Sequence, residues 1–207
     1  MGRLSVFFTV LALLAAPVAN GNPVTSETGP NLVVNGGFEA TSTVASSGWT
    51  TSGFIAEGFD HFVDTNPADA HSGTHSFAGG GIGAPGFISQ SIPTVAGQHY
   101  NIHIWLANLS GFASDTQIQV MWDGSIVYSA TDIPGFGYAE IVIDPIASSG
   151  STLLAIGLRD DAFFLNIDDV SVRLTSATVP EPPTTVLLGL ALLGFALTRR
   201  RNANRTA

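Results

Sequence analysis

From Tyr100 to Leu106 apolar and polar side chains alternate, with Tyr100, Ile102, Ile104 and Leu106 on one parity and Asn101, His103 and Trp105 on the other. That period of two belongs to a strand with one buried face, because successive side chains of extended backbone point to opposite sides. Ile118, Val120 and Trp122 repeat the pattern, with Gln117 and Gln119 between them. Asp123-Gly124 follows at once and Ile126-Val127-Tyr128 comes next, so residues 116–129 read as a hairpin around an Asp-Gly turn. Further strands are expected near 32–35, 54–63, 74–78, 86–92, 137–143, 152–158 and 164–174, separated by Gly, Ser, Pro and Asp clusters. Nothing between 22 and 179 carries a helical period. Residues 22–30 read as a flexible leader and 31–175 as one domain. Eight or so short antiparallel strands predict an all-β fold of two packed sheets, with jelly-roll and immunoglobulin-like topologies both open.

The two ends have a different character. Arg3, the apolar stretch Leu4 to Ala16, and the small residues Ala19 and Gly21 form a secretory signal peptide over 1–21. Near the other end, a spacer over 176–183 leads into an apolar run of 15 residues, Thr184 to Thr198. As a helix that run would span roughly 22 Å, short of the ~30 Å hydrocarbon layer, so this transmembrane segment enters a membrane but anchors poorly. Arg199, Arg200 and Arg201 open a basic tail, 199–207, that resists translocation and would stay in the cytoplasm. Pro180, Pro182 and Pro183 disfavour helix before the run, leaving an extended strip that a processing enzyme could grip.

Pro180-Glu181-Pro182, then the apolar run, then the arginines, in that order, resemble the PEP-CTERM sorting signal of Gram-negative bacteria. The resemblance implies export through the inner membrane, transient anchoring there, and cutting by an exosortase-type enzyme, the expected partner. The destination it implies is the cell surface or extracellular matrix, in the company of exopolysaccharide.

Between residues 22 and 179, fifteen acidic residues from Glu27 to Asp169 stand against two basic ones, Arg159 and Arg173, a net charge of −13. There is no lysine, and the whole chain carries −9. Such a surface repels nucleic acid and anionic phospholipid, leaving neutral ligands and divalent cations open; solubility alone would also account for it. Cysteine is absent, which removes disulfides, thiol chemistry and cysteine-ligated zinc.

Asn31-Leu32-Val33-Val34-Asn35-Gly36-Gly37-Phe38-Glu39 resembles the opening strand of galactose-binding-like jelly rolls, which include carbohydrate-binding modules. Trp49, His71-Ser72-Gly73-Thr74-His75-Ser76 and Asn166-Ile167-Asp168-Asp169-Val170-Ser171-Val172 match the same group. The resemblance implies the jelly-roll topology and a structural calcium ion held by Glu39 and Asp168, with carbonyls from the Gly36-Gly37 and His71 to Gly73 turns. Calcium takes six to eight oxygens, which such a set can supply. The competing reading has Glu39 accepting backbone hydrogen bonds at a loop while Asp168 and Asp169 face water.

For a ligand, His103 and Trp105 share the strand face opposite the isoleucine row. An exposed Trp105 could stack on a sugar ring while Asn108 or Gln119 bonds its hydroxyls; the alternative is a tryptophan covered by Phe112 or the Pro134 to Tyr138 stretch. Trp49 and Trp122 read as structural. Catalysis is not expected. His71 and His75 flank a turn, His99 and His103 would lie about 13 Å apart on a strand, and Asp168 and Asp169 would point to opposite faces. Two functional readings remain: an exported polysaccharide-binding module and a purely structural acidic surface protein.

Overall fold

The computed structural model describes residues 25–177 apart from 41 and 162, and eleven strands run through them. The expected signal peptide, Pro-Glu-Pro strip, membrane segment and basic tail lie outside the described residues. The strands are β1 (Thr25–Thr28), β2 (Thr50–Ser52), β3 (His61–Asp64), β4 (Ser76–Gly79), β5 (Gly86–Pro93), β6 (Tyr100–Asn108), β7 (Thr116–Trp122), β8 (Ser125–Thr131), β9 (Phe136–Ile143), β10 (Ser151–Asp160) and β11 (Leu165–Ala177). One sheet has the order β3-β4-β11-β6-β9, with β1 also paired to β11; the other has the order β2-β5-β10-β7-β8. Every neighbouring pair along these two paths is antiparallel.

From β4 to β7 consecutive strands alternate between the sheets, and β10 and β11 then insert at the middle of each. That crossing is what two-sheet jelly rolls do to bury both inner faces. Ile102, Ile104 and Leu106 of β6 and Phe77 and Ile167 from its sheet meet Ile88, Ile118, Val120, Leu154, Ile156 and Leu158 of the other. Each such side chain contributes about 1.5–3 kcal/mol by leaving water. The hairpin stands as the sequence predicts, with Asp123 at φ 52° and Gly124 at φ 80°, the pair of positive angles that a twisted two-residue turn requires.

One expected strand is not formed and another is formed only in part. Residues 32–35 turn instead of extending, because side chains take the backbone bonds: Asn31 Oδ1 accepts the N–H groups of Val33 and Val172, each at 3.0 Å, and Asn35 adopts φ 53°. Of the expected strand 54–63 only its end, β3, is extended. Asp60 draws the N–H groups of Ile55 and Ala56 onto its carboxylate, and the loop folds back so that Phe54 stacks on His61 at 4.4 Å. Conversely Thr25–Thr28, placed in a flexible leader by its composition, pairs with β11, and β2 is a strand the hydrophobic pattern does not mark.

Candidate functional site

The opening loop, the 71–75 turn and the last strand meet through carboxylates. Glu39 Oε1 accepts the N–H groups of Thr74 (2.6 Å) and His75 (2.8 Å), while Oε2 accepts the Thr74 hydroxyl (2.9 Å) and contacts His75 Nδ1 (3.0 Å). Those four contacts use the roughly four lone-pair sites a carboxylate owns. Burial works to raise the Glu39 pKa, but the Thr74 and His75 bonds outweigh it and hold the group at about 2. Gly73 lets the turn wrap this closely: at φ +64° it is already in glycine's region, and a Cβ there would stand 2.2 Å from Glu39 Oε1.

Asp168 is fully buried. Its Oδ2 accepts the N–H groups of His71 (2.9 Å) and Ser72 (3.1 Å), and its Oδ1 that of Asp169 (2.7 Å). Burial pushes it up to about 6 even against these donors. The expectation that Asp168 and Asp169 point to opposite faces is corrected by a bulge: the register breaks between Asp168 and Ser171, and Asp169 adopts φ 48°. Asp169 thereby reaches the same turn, with Oδ2 2.7 Å from His71 Nδ1 and Oδ1 accepting the Ser72 hydroxyl at 2.9 Å.

Glu39 is full, whereas Asp168 Oδ1 and both Asp169 oxygens each keep an open site. Asp169 Oδ1 and Asp168 Oδ1 both front the bare face of Gly37, 3.4 and 3.6 Å from where a Cβ would stand. Among the described residues no group of three His, Cys, Asp or Glu side chains is placed to hold an ion, so turn carbonyls would have to complete the shell. Glu39 braces the turn, and the oxygens of Asp168 and Asp169 that keep open sites converge on Gly37.

Trp105 lies on the outer face of its sheet but is not a bare plate. His71 stacks on it with centroids 3.8 Å apart and planes 14° from parallel, and Tyr138 meets His71 edge-on at 5.3 Å. His103, one step along the same face, bridges Glu140 of β9 (2.7 Å) and Glu27 of β1, tying the first strand down. Burial would lower its pKa, yet the two carboxylates outweigh that and raise it. Asn108 is corrected from ligand contact to loop brace: 1% exposed, it donates to Phe112 O (2.6 Å) and Ile133 O (2.8 Å) and accepts from Ser110 Oγ (2.7 Å). Gln119 is corrected as well, because β7 belongs to the opposite sheet, where Gln119 pairs with Gly157 and Ser129. It cannot share a ligand with Trp105. Trp49 and Trp122 are buried, and each indole N–H bonds a backbone carbonyl, of Asn35 (3.2 Å) and Ile146 (3.1 Å).

The concavity on this outer face lies beside Trp105, among residues that sequence reasoning did not select. Phe62, Ala78 and Asn166 are register partners across β3, β4 and β11, alternating with Val63, Phe77 and Ile167 of the core. They line a cleft of about 220 Å³ with Phe163, Phe164, Leu109, Ser110, Asp64 and Asp69. Phe164 meets Phe62 edge-on at 5.0 Å. Phe163 stacks on Phe112 at 4.9 Å and 8°, and the two keep 45% and 54% of their surface exposed. Asn166 is 5% exposed; its amide donates to Ser76 Oγ (3.2 Å), and its oxygen accepts no protein bond. Asp64 and Asp69 each spend one oxygen on Asn66. Tyr138 donates to Asp69 O (2.6 Å), and burial, with the charges of Asp168, Asp64 and Asp69, drives its pKa above the usual phenol range. Aromatic walls with polar acceptors at the rim suit a flat ring that has apolar faces and hydroxyl edges. The signal in the sequence was the alternation Phe62-Val63-Asp64 and Asn166-Ile167-Asp168, but only the strand order puts the two together.

Residues 178–201 match the PEP-CTERM protein-sorting motif, which implies an exported, membrane-transiting chain processed by an exosortase. No curated protein matches the sequence. Among solved structures, TmCBM61 in complex with β-1,4-galactotriose superposes with a TM-score of 0.51 at 20% identity, covering 70% of this chain and 98% of that one. The CBM22-1 xylan-binding domain of Paenibacillus barcinonensis Xyn10C gives 0.50 at 17% identity, covering 74% and 99%. The enzymatically active domain of bacteriophage CBA120 tailspike protein 4 gives 0.50 at 17%, covering 70% of this chain and 21% of that one. The fold is thus the jelly roll of carbohydrate-binding modules, and it also occurs within an enzyme, so fold does not decide about catalysis.

Proposed function

We propose that this chain is a non-catalytic protein of the cell surface or extracellular matrix, delivered by its sorting tail, whose jelly roll holds polysaccharide in the cleft between Phe62, Phe164 and Asn166. The observation that carries the reading is the cleft itself, an aromatic-walled concavity on a sheet face, into which Asn166 brings an amide oxygen that no protein group bonds. Its volume, about 220 Å³, is below the ~300–1,000 Å³ of pockets that enclose a drug-sized ligand, so it receives one ring of a chain that runs on over the surface. Likeness to modules whose structures are described with galactotriose or as xylan-binding supports the ligand class. Calcium on Asp168 and Asp169 is part of the proposal, as a clamp between the opening loop and the last strand and not as a ligand bridge.

The test is a glycan array probed with the full chain in detergent micelles. Saturable binding that falls at least tenfold in Phe164→Ala supports the reading. Silence across the array refutes it in favour of the purely structural surface protein, for which the His71 cover over Trp105 already speaks. Mass spectrometry of the exported product, read for its new termini, tests the processing half of the proposal separately.

A further inference from the structure

Acceptors dominate the polar groups around the cleft. Asn166 offers an amide oxygen, and Asp64 and Asp69 each keep a carboxylate oxygen that no protein group bonds. Of the polar hydrogens nearby, one N–H of the Asn166 amide donates to Ser76 and the Ser110 hydroxyl donates to Asn108, which leaves the second Asn166 N–H unbonded. None of the lining residues is basic. Elsewhere in the domain both arginines are engaged, Arg159 by Asp161 and Asp115, and Arg173 by the Gly29 carbonyl and, at 3.7 Å, Glu27. A ligand in this cleft therefore meets more free acceptors than donors, and it enters under the field of a domain carrying −13.

We infer that the cleft is selective for a polysaccharide bearing free amino groups, a de-N-acetylated hexosamine polymer, whose ammonium lies between Asp64 and Asp69 while the sugar ring packs on Phe62 and Phe164. An ammonium brings three donors and no acceptor, so it answers this rim better than a hydroxyl, which must also find a donor for its own lone pairs. A uronate, sulfate or phosphate would bring acceptors to face acceptors and is rejected. The Asn166 oxygen is a feature independent of the acids: no protein group bonds it, and a ligand donor at this position is received there. This inference rests on the polysaccharide reading above and narrows it.

Isothermal titration of the full chain in detergent against matched hexasaccharides decides it: a β-1,4-glucosamine hexamer, its N-acetylated form, the neutral glucose hexamer and an oligogalacturonate. The glucosamine hexamer is expected to bind at least tenfold more tightly than the neutral and acetylated ones, with no uptake of the uronate. Asp64→Asn with Asp69→Asn should erase that preference, so that the glucosamine hexamer binds no more tightly than the neutral one. Equal affinity for all neutral and amino forms, or binding of the uronate, overturns the amine selectivity and leaves the polysaccharide site standing. Silence from all four overturns the amine selectivity, and the glycan array then decides the polysaccharide reading. A glucosamine affinity that survives the double variant but falls in Asp132→Asn marks a general charge effect, and also overturns the selectivity.

Discussion

Replacing Glu39 by glutamine keeps the shape of the 71–75 turn and removes only the charge that its donors face. In the native chain the carboxyl sits at about 2 against an ordinary 4.5, a difference that corresponds to roughly 3 kcal/mol at about 1.4 kcal/mol per pH unit. The side chain is 43% exposed, so solvent screening reduces what folding gains to about 1–2 kcal/mol. Glutamine retains one oxygen for the N–H groups of Thr74 and His75, and its new amide can donate to the Thr74 hydroxyl, so the loss stays within that range. Because the folded pKa is depressed, this stability is complete above about 4.5 and drains away as pH falls towards 2. Thermal melts of the full chain in detergent, wild type against Glu39→Gln, should differ by about 3–8 °C at pH 7 and converge near pH 2. A variant that melts within a degree of wild type at pH 7, or a gap that persists unchanged at pH 2, would refute the clamp.

Asn108→Ala should cost about 2–4 kcal/mol, since it leaves the buried Ile133 carbonyl only the long 3.4 Å contact of the Thr116 hydroxyl and releases the loop carrying Leu109, Ser110 and Phe112; denaturant melts give the stability, and glycan affinity should fall with it because that loop walls the cleft. His103 has a raised pKa, so its contribution is present below about 6.5 and is lost as pH climbs through the folded value: wild-type melting temperature should drop over that window, and His103→Gln should flatten the slope. Calcium at a hundred times its dissociation constant should stabilise the chain by about 2.7 kcal/mol, and Asp169→Asn should abolish the response; a calorimetric melting point indifferent to both calcium and chelator removes the ion.

Where a strand faces core on one side and water on the other, side-chain parity is enough to place it, and β6, the β7–β8 hairpin, β5, β9 and β10 lie close to where the pattern puts them. The misplacements share a cause. At 32–35 and 54–60, Asn31 and Asp60 hydrogen-bond the backbone themselves, and a hydrophobic pattern does not register such bonds. At Asp168-Asp169 a bulge breaks the parity rule and turns two adjacent acids onto one turn. For the site, the sequence singled out β6 for its alternation, yet Trp105 was already roofed by a histidine 34 positions away, Asn108 was drawn inward to hold a loop, and Gln119 belonged to the other sheet.

What the chain determines unaided is local or compositional: the period of two, the Asp-Gly turn, the acidic balance, and the tail, whose order of prolines, apolar run and arginines is a linear signal and needs no fold to be read. The tertiary structure alone decided which strands are neighbours. Pairing β3 with β4 and β4 with β11 brings Phe62 and Asn166, more than a hundred residues apart, onto one face across Ala78, and with them the cleft. Alternation fixes which side of a strand a residue takes, but registry between distant strands comes from how two sheets together bury their inner faces, and that is a property of the whole chain.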